Sequence, residues 1–220
     1  MTYTWRVHEL AIRSPLYGAP VYHVAETAST MDDARRLVEH GAPSGTVVVT
    51  DHQLAGRGRR AGRVWRSPPR ESLMFTLALE RPHEPVTRSL AMAAAVAGFL
   101  EADAGLASPD GERRVLVKWP NDVLVNGRKV CGILADHDGR WLYLGVGLNV
   151  LQERFHEEID AVATSIAREG GRIPAPDGHP PRAPNAWGAV RDALLGRVLE
   201  RFAATGDSWL PVLRERLWMK

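Results

Sequence analysis

The chain has 220 residues, of which 45% are hydrophobic and 25% charged, a balance typical of a globular domain. Its net charge of +2 gives no support to a nucleic-acid partner, and its longest uncharged apolar stretch, residues 89–100, is shorter than the roughly 20 residues that span a bilayer. The single cysteine, Cys131, excludes an intrachain disulfide and a zinc site of cysteines alone. Charged residues interrupt the N-terminal segment where an export signal would be apolar, so we expect no export signal and a cytoplasmic protein.

The first half of the chain alternates strand and helix signals. Residues 21–24 predict a short strand, and a helix is expected to begin at Ser29 or Thr30, with Asp32 and Asp33 in its first turn. Residues 46–50 and 72–80 predict two buried strands separated by a loop that is dense in glycine and arginine. An alanine-rich helix is expected over 87–106.

The second half predicts a run of strands followed by helices. Strands are expected at 115–118, 123–125, 130–134 and 141–150; Asn126-Gly127 and Asp138-Gly139 both match two-residue type I′ turns, which join antiparallel strands. Helices are expected near 159, over 186–204 and over 208–217, and residues 170–184 predict a mobile surface loop. We therefore expect a single α+β domain over 1–220, with a mixed, largely antiparallel sheet flanked by helices.

The strongest local signal is the Gly/Arg-rich segment 56–65, which ends in Trp65. Glycines expose backbone amides, and arginines match phosphate and carboxylate oxygens, so the segment is suited to bind an anion. It matches neither a Walker A loop nor a dinucleotide fingerprint. Three interpretations stay open: a solvated basic loop, an arm for the minor groove of DNA, or a loop that closes over a nucleotide whose base stacks on Trp65.

The second signal is Lys118-Trp-Pro-Asn121-Asp122 at the end of a strand, followed by Lys129 on the return strand. These residues can form a plain turn with a surface ion pair. Alternatively, because the 28 basic residues include only three lysines, a retained lysine suggests a place where a compact ammonium must face a developing anion.

The third signal is Gly145-Val-Gly147-Leu-Asn149 in the last predicted strand. Glycine inside a strand often marks a close approach of a ligand to the backbone, although a bulge or crowded packing explains it equally well. Asn149 could then bind a polar edge, whereas Cys131 is best explained as a small buried apolar residue.

Seven motifs occur in order along the chain: Glu26-Thr-Ala-Ser29-Thr30, Gln53-x-x-Gly56-Arg57-Gly58-Arg59, Gly62-Arg63-x-Trp65-x-Ser67-Pro68, Lys118-Trp-Pro-Asn-Asp122, Lys129-x-x-Gly132-Ile-Leu, Gly145-x-Gly147-x-Asn149 and Ala163-Thr-Ser165. Together they resemble the catalytic domain of biotin protein ligases. The resemblance implies a fold like that of class II aminoacyl-tRNA synthetases and a two-step reaction. Biotin and MgATP give biotinyl-5′-AMP and pyrophosphate, and a lysine of a biotin carboxyl carrier protein then accepts the biotinyl group.

The resemblance also implies roles for individual residues. Lys129 and Arg59 are expected to be catalytic, with Asp122 as a magnesium ligand. The residues expected to bind biotin are Ser29, Thr30, Gln53, Gly56, Arg57, Gly58, Arg59, Lys129 and Gly132. Those expected to bind the nucleotide are Arg63, Trp65, Lys118, Asn121, Asp122 and Asn149.

The sequence departs from the family pattern at several points. Met31 stands where asparagine is common, Asp136 replaces a glutamate, and Ala61 adds a residue between the two Gly-Arg pieces. We expect neither an N-terminal helix-turn-helix domain nor a C-terminal SH3-like domain, and a homodimer is compatible with the chain. A lipoate or other acyl ligase of the same superfamily, and a non-catalytic protein that binds biotin or a nucleotide, are the alternative functions.

Overall fold

A computed structural model describes residues 6–59, 62, 64–80, 85–107, 115–174, 180–183, 185–205 and 209–218. Its strands are β1 (His8–Arg13), β2 (Pro20–Thr27), β3 (Val47–Gln53), β4 (Gly56–Arg57), β5 (Val64–Trp65), β6 (Ser72–Glu80), β7 (Val115–Lys118), β8 (Asp122–Val125), β9 (Arg128–His137), β10 (Trp141–Asn149) and β11 (Leu217–Trp218). Its helices are α1 (Thr30–Glu39), α2 (Pro85–Ala102), α3 (Glu157–Asp160), α4 (Trp187–Thr205) and α5 (Trp209–Arg216).

Nine of these strands form one mixed sheet in the order β1-β2-β3-β6-β10-β9-β8-β7-β11. The pairs β2–β3 and β7–β11 are parallel and the others antiparallel, which confirms the predicted mixed, largely antiparallel sheet. The strands β4 and β5 form a separate two-stranded hairpin inside the Gly/Arg-rich loop. This hairpin was not predicted, because two-residue strands leave no periodic pattern in a sequence.

The main hydrophobic core lies between one face of the sheet and helices α2 and α4. Alanines fill α2 on several sides, and such a uniformly apolar helix must be buried; it packs against the sheet and also against α4 and α5. On the opposite face, a smaller cluster joins Met31 and Ala34 of α1 to Val48, Ala78 and Tyr143 of the sheet. Because α1 covers only part of this face, the strands beside it remain open to a ligand.

The two predicted hairpin turns have different outcomes. Asn126 and Gly127 have φ values of 51° and 77°, as a type I′ turn requires. The prediction for Asp138-Gly139 is wrong: the strands are joined by residues 138–140, and of the two only Gly139, at φ 94°, has a positive value. The Asp138 carboxylate instead accepts hydrogen bonds from the backbone N–H groups of Arg140 and Trp141, at 3.0 and 2.7 Å.

The segment 170–184, predicted as a mobile loop, is only partly described, because residues 175–179 and 184 lie outside the described ranges. Its described parts contain no helix or strand. Arg182 nevertheless donates hydrogen bonds to the carbonyl of Leu151 and, at 3.0 Å, to the carboxylate of Glu153. Within the described residues, no helix is sufficiently long and apolar to cross a membrane.

Candidate active site

The open face of the sheet carries two rows of directly opposed residues, which therefore point to the same side. The rows are Asp122–Gly132–Gly147–Met74 and Leu134–Gly145–Thr76. These seven residues form the floor of the site, and because three of them are glycines, much of this glycine floor is backbone without side chains. A flat group can therefore approach the strands closely at this place.

Trp65 lies against this glycine floor. Pairing of Gly56 with Trp65 in the β4–β5 hairpin turns the loop back over the sheet. A Cβ atom added to Gly147 would lie 2.6 Å from Cε2 of the indole, and one added to Gly132 would lie 3.2 Å from its Cζ3. The indole Nε1 is buried and has no hydrogen-bond partner among the described residues. The strand glycines thus admit an aromatic ring, and the approach of a ligand to them stays a prediction.

Lys129 and Asp122 form the charged pair of the site. The Lys129 ammonium lies 2.7 Å from the Asp122 carboxylate and 5.6 Å from the centroid of the Trp65 ring, a cation–π distance. It also lies 2.9 Å from where a Cβ atom would stand at Gly132, so this glycine leaves room for the ammonium. About a third (35%) of the lysine side chain is exposed, which leaves the ammonium accessible to an anion in the cavity.

A polar cluster at the other end of the cavity joins Gln53, Thr30 and Thr76. The Gln53 side-chain oxygen accepts hydrogen bonds from the backbone N–H of Thr30 at 3.0 Å and from its hydroxyl at 3.3 Å. The hydroxyls of Thr30 and the fully buried Thr76 are 2.9 Å apart. A Cβ atom at Gly56 would lie 2.5 Å from the Gln53 amide nitrogen and 2.6 Å from the backbone oxygen of Trp65, and because the backbone cannot move aside, only glycine allows the loop to pass so near. The cluster can offer both donors and acceptors to a polar ring.

The arginines of the loop differ in their contacts. Arg57 donates hydrogen bonds to the Ser29 hydroxyl at 3.3 Å and to the Asp32 carboxylate, which fastens the loop to the start of α1. Ser29 is the N-cap residue of α1, as the sequence allowed, but its side chain forms no capping hydrogen bond and contacts the loop instead. Arg59 is exposed at the cavity, and no described residue forms an ion pair with its guanidinium.

Most of the residues predicted to bind a ligand meet at a single cavity. Those lining it are Ser29, Thr30, Gln53, Arg57, Gly58, Arg59, Trp65, Asn121, Lys129 and Gly132. Sequence reasoning did not select Met31, Met74, Thr76 and Leu134, which also line it. Gly56, Lys118, Asp122 and Asn149 do not line the cavity, and Arg63 lies outside the described residues.

Two predicted nucleotide residues have structural partners of their own. The side chain of Asn149 is buried; its amide donates to the carbonyl of Thr164 at 2.9 Å, and its oxygen lies 3.3 Å from the Gln152 amide. Lys118 is exposed, with its ammonium 5.0 Å from the ring centroid of Trp218 on β11. Contact of either residue with a nucleotide stays a prediction.

Among the described residues around the cavity, the components of two common kinds of catalytic site are missing. No cluster of three or more metal-binding side chains occurs among the described residues. Cys131 is fully buried, and this burial raises the pKa of its thiol, which rules it out as a nucleophile at neutral pH. The arrangement instead combines a polar pocket, a flat floor and an ammonium, which suits a ligand with a polar ring at one end and an anion at the other.

The sequence is similar to those of several known proteins. The sequence model described as the biotin/lipoate A/B protein ligase family matches residues 24–149, more than half of the chain. The bifunctional ligase/repressor BirA of Bacillus spizizenii is 34% identical over 171 residues, which cover 73% of this chain and 50% of that protein. The biotin–[acetyl-CoA-carboxylase] ligase of Mycobacterium tuberculosis is 37% identical over 209 residues, covering 91% and 71%.

The fold is also similar to that of a solved structure. The biotin protein ligase from Aquifex aeolicus in complex with biotin and ATP has a TM-score of 0.65 and 28% identity, and the match covers 90% of this chain and 72% of that one. The mixed sheet with flanking helices is thus the fold of these catalytic domains. The match to the Bacillus spizizenii protein spans about half of that protein's length.

Proposed function

Since the chain belongs to the biotin/lipoate A/B protein ligase family, we propose that it activates biotin with ATP as biotinyl-5′-AMP and transfers the biotinyl group to a lysine of a biotin carboxyl carrier protein. The observation that carries this proposal is the placement of the Gln53–Thr30 cluster and the Lys129 ammonium around one cavity. The Lys129 ammonium lies beside Gly132. Gly132 is two strand spacings across the sheet and two residues along the strands from Thr76, so the two ends are about 12 Å apart at roughly 4.8 Å per spacing and 3.3 Å per residue. That distance suits a bicyclic ureido ring bearing a short carboxyalkyl chain.

The polar cluster has the donors and acceptors that a ureido group needs. Since the Gln53 oxygen accepts from Thr30, the Gln53 amide nitrogen can donate to the ureido oxygen, and the Thr30 hydroxyl oxygen can accept from a ureido N–H. Met31, Met74 and Leu134 supply apolar surface for the rest of the ring. A site built to hydrogen-bond a substrate group rejects analogues that lack the group by about 10⁴- to 10⁵-fold, so the polar cluster favours biotin over lipoate.

The first step joins two anions, and the cations of the site make this approach favourable. A carboxylate oxygen of biotin attacks the α-phosphorus of ATP, the bond from that phosphorus to the bridging oxygen breaks, and pyrophosphate leaves. Lys129 lies where its ammonium can hold both the carboxylate and the α-phosphate as negative charge redistributes. Arg59 is free to bind the phosphates from the loop, and the Trp65 ring excludes water from the mixed anhydride that forms.

The second step is aminolysis. The uncharged amine of the acceptor lysine attacks the biotinyl carbonyl, AMP departs with the electrons of the C–O bond, and the amine loses a proton. For this attack, the protein surface around the cavity must bind the acceptor domain and let its lysine side chain enter. The exposed side chains of Leu54, Val64 and Trp119 belong to segments next to cavity residues and are suited to contact an acceptor domain.

The site fits a magnesium ion only as a partner of bound ATP. Mg²⁺ is commonly held by one or two carboxylates together with substrate phosphates, and Asp122 is the carboxylate available beside Lys129. When bound, the ion neutralises phosphate charge and aids the departure of pyrophosphate. We also propose that the enzyme works in the cytoplasm, which its single, buried, free cysteine favours.

The proposal is tested with purified protein, biotin, MgATP and a biotin carboxyl carrier domain. We expect biotin-dependent pyrophosphate release and biotinylation of the acceptor lysine, with lipoate and octanoate supporting little release. Release with lipoate alone would select the related acyl ligase, and calorimetric binding of biotin without release would select a non-catalytic binding protein.

A further inference from the structure

Lys129 and Gly132 are three residues apart on β9, yet both face the active-site cavity. In a regular strand successive side chains alternate between the two faces, so residues three apart point to opposite sides. The Lys129 ammonium nevertheless lies 2.7 Å from Asp122, the residue directly opposite Gly132. Some local irregularity must therefore turn Lys129 toward the cavity.

The irregularity is a β-bulge at Val130. Val123 of β8 lies opposite Cys131, but the next residue, Leu124, lies opposite Lys129, so β9 contains one extra residue at this point. Both Val130 and Cys131 are fully buried in the main core, as expected when two consecutive side chains share a face.

Without the bulge the lysine would be misplaced. Continuing the register from the Val123–Cys131 pair would set Lys129 opposite Val125, whose side chain is fully buried in the core. The ammonium would then point into apolar packing, where its desolvation would be costly. The reactive geometry of the site thus depends on what keeps the bulge in place.

The segment 162–164 holds the backbone of the bulged residues. The Lys129 N–H donates to the carbonyl of Val162 at 2.8 Å, and the Thr164 N–H donates to the carbonyl of Lys129 at 2.8 Å, which makes a parallel bridge at Ala163. Both backbone hydrogen-bonding groups of Lys129 are therefore committed to this segment.

Glu169 connects that segment to the hairpin. One oxygen of its carboxylate accepts hydrogen bonds from the Thr164 hydroxyl and from Arg128, both at 2.6 Å. The other oxygen accepts from the Asn126 amide at 2.9 Å. The side chain is only 4% exposed, so this carboxylate is a buried charge whose partners lie on the hairpin that leads into the bulge and on the segment that pairs with Lys129.

We propose that Glu169 is a positioning residue for adenylate formation: its carboxylate fastens the Asn126–Arg128 hairpin to Thr164 and so aims the ammonium of Lys129 into the cavity. This inference rests on the proposed function, because it assigns Glu169 to the step in which Lys129 acts. The carboxylate has no contact with the cavity and acts only through the lysine.

The kinetic test compares Glu169→Gln with wild type in biotin-dependent pyrophosphate release. We expect kcat to fall at least tenfold. A matched control is Asp103→Asn, which removes a carboxylate paired with two arginines, Arg197 and Arg201, away from the cavity and should leave kcat unchanged. Thr164→Val, which removes one donor and keeps the side-chain shape, should lower kcat in the same direction, and Thr164→Ser should restore it.

A double-mutant cycle distinguishes positioning from general loss of structure. In a Lys129→Ala background, Glu169→Gln should have no further effect on the rate, because the group through which it acts is absent. The three lysines of the chain also allow an NMR readout without turnover: with ¹³Cε-labelled lysine, only the Lys129 signal should shift in the Glu169→Gln and Thr164→Val variants.

Each failure has a distinct meaning. A wild-type protein that releases no pyrophosphate contradicts the proposed function. Active wild type with unchanged kcat and an unmoved Lys129 signal in both variants overturns the role of Glu169, as does an additive loss in the Lys129→Ala background.

Discussion

Replacing Gly147 by alanine tests the role of the glycine floor. The added Cβ atom would lie 2.6, 2.8 and 3.0 Å from Cε2, Cζ2 and Cδ2 of the Trp65 indole. Carbon atoms in contact normally lie about 3.5–4.0 Å apart, so the ring must retreat by about 1 Å. The floor itself cannot yield easily, because Gly147 is paired with β9 on one side and β6 on the other.

This overlap should lower both the stability of the protein and the rate of pyrophosphate release. Overpacking of a core site costs about 1–3 kcal/mol, and a misplacement of about 1 Å in an active site can slow a reaction by about 100-fold. Because Trp65 adjoins both the floor and the Lys129 ammonium, we expect biotin-dependent pyrophosphate release to slow by about 10- to 100-fold. The melting temperature should fall by several degrees or less, since the ring can move toward solvent.

The assay uses three variants. Gly145→Ala on the same strand and face is the matched control, because its Cβ atom would meet the flexible end of Met31 at 3.1 Å rather than an aromatic ring. It should lose less activity than Gly147→Ala. Combining Gly147→Ala with Trp65→Phe, which shortens the ring, should recover part of the rate. If Gly147→Ala were as active as wild type, the observed position of Trp65 would have no part in the reaction.

Three further substitutions probe other parts of the account. Lys129→Arg should lower the adenylation rate by about 100-fold or more while circular dichroism shows an intact fold, because a planar guanidinium cannot replace the compact ammonium; an unchanged rate would exclude that role. Arg59→Gly should release the adenylate from the cavity, seen as labelling of bystander lysines, and retention equal to wild type would count against closure by this loop. Burial by itself raises the pKa of Asp51, but hydrogen bonds and charges from His23 and Arg191 have the larger effect and lower this pKa below its ordinary value of 3.8. The ionised carboxylate therefore stabilises the fold above pH 3.8, and this stabilisation is lost as the pH falls through the lowered pKa. Asp51→Asn should therefore cost about 3 kcal/mol in urea unfolding at neutral pH and should flatten the decline of stability as the pH falls below about 5. The same dependence of stability on pH in variant and wild type would contradict this.

Much of the fold was predictable because its central elements have strong local patterns. The strand predicted over 72–80 was confirmed with the same bounds. The strand predicted over 46–50 was confirmed as β3, which begins one residue later, at Val47, and continues three residues further, to Gln53. The edge strands β1 and β11 were missed. The two residues of β11 are a strand only because Leu217 and Trp218 pair with β7, a tertiary contact that no local pattern reveals.

The site was predictable where glycine or charge interrupts an expected pattern. Gly145 and Gly147 indicated either a close ligand or crowded packing, and the groups that approach them are the side chains of Met31 and Trp65. The approach of a ligand stays a prediction. Thr76 was missed because a β-branched threonine inside an apolar strand looks like ordinary sheet packing. Its polar role depends on the partner, Thr30, that the fold brings to 2.9 Å.

The orientation of Lys129 shows what a sequence pattern leaves out. Strand alternation predicts that Lys129 and Gly132 face opposite ways, and only the register of β8 with β9 locates the bulge that puts them on one side. The same applies to Asn149, a strand-end amide in the sequence, whose partners in the structure are Thr164 and Gln152.

The central claim is that one cavity joins biotin to AMP. Its most direct test is substrate-dependent exchange of labelled pyrophosphate into ATP, measured with biotin, lipoate and octanoate in parallel. The account predicts rapid exchange with biotin, little with the other two acids, and loss of the biotin signal in Lys129→Arg. Absence of exchange with biotin, or equal exchange with all three acids, would contradict it.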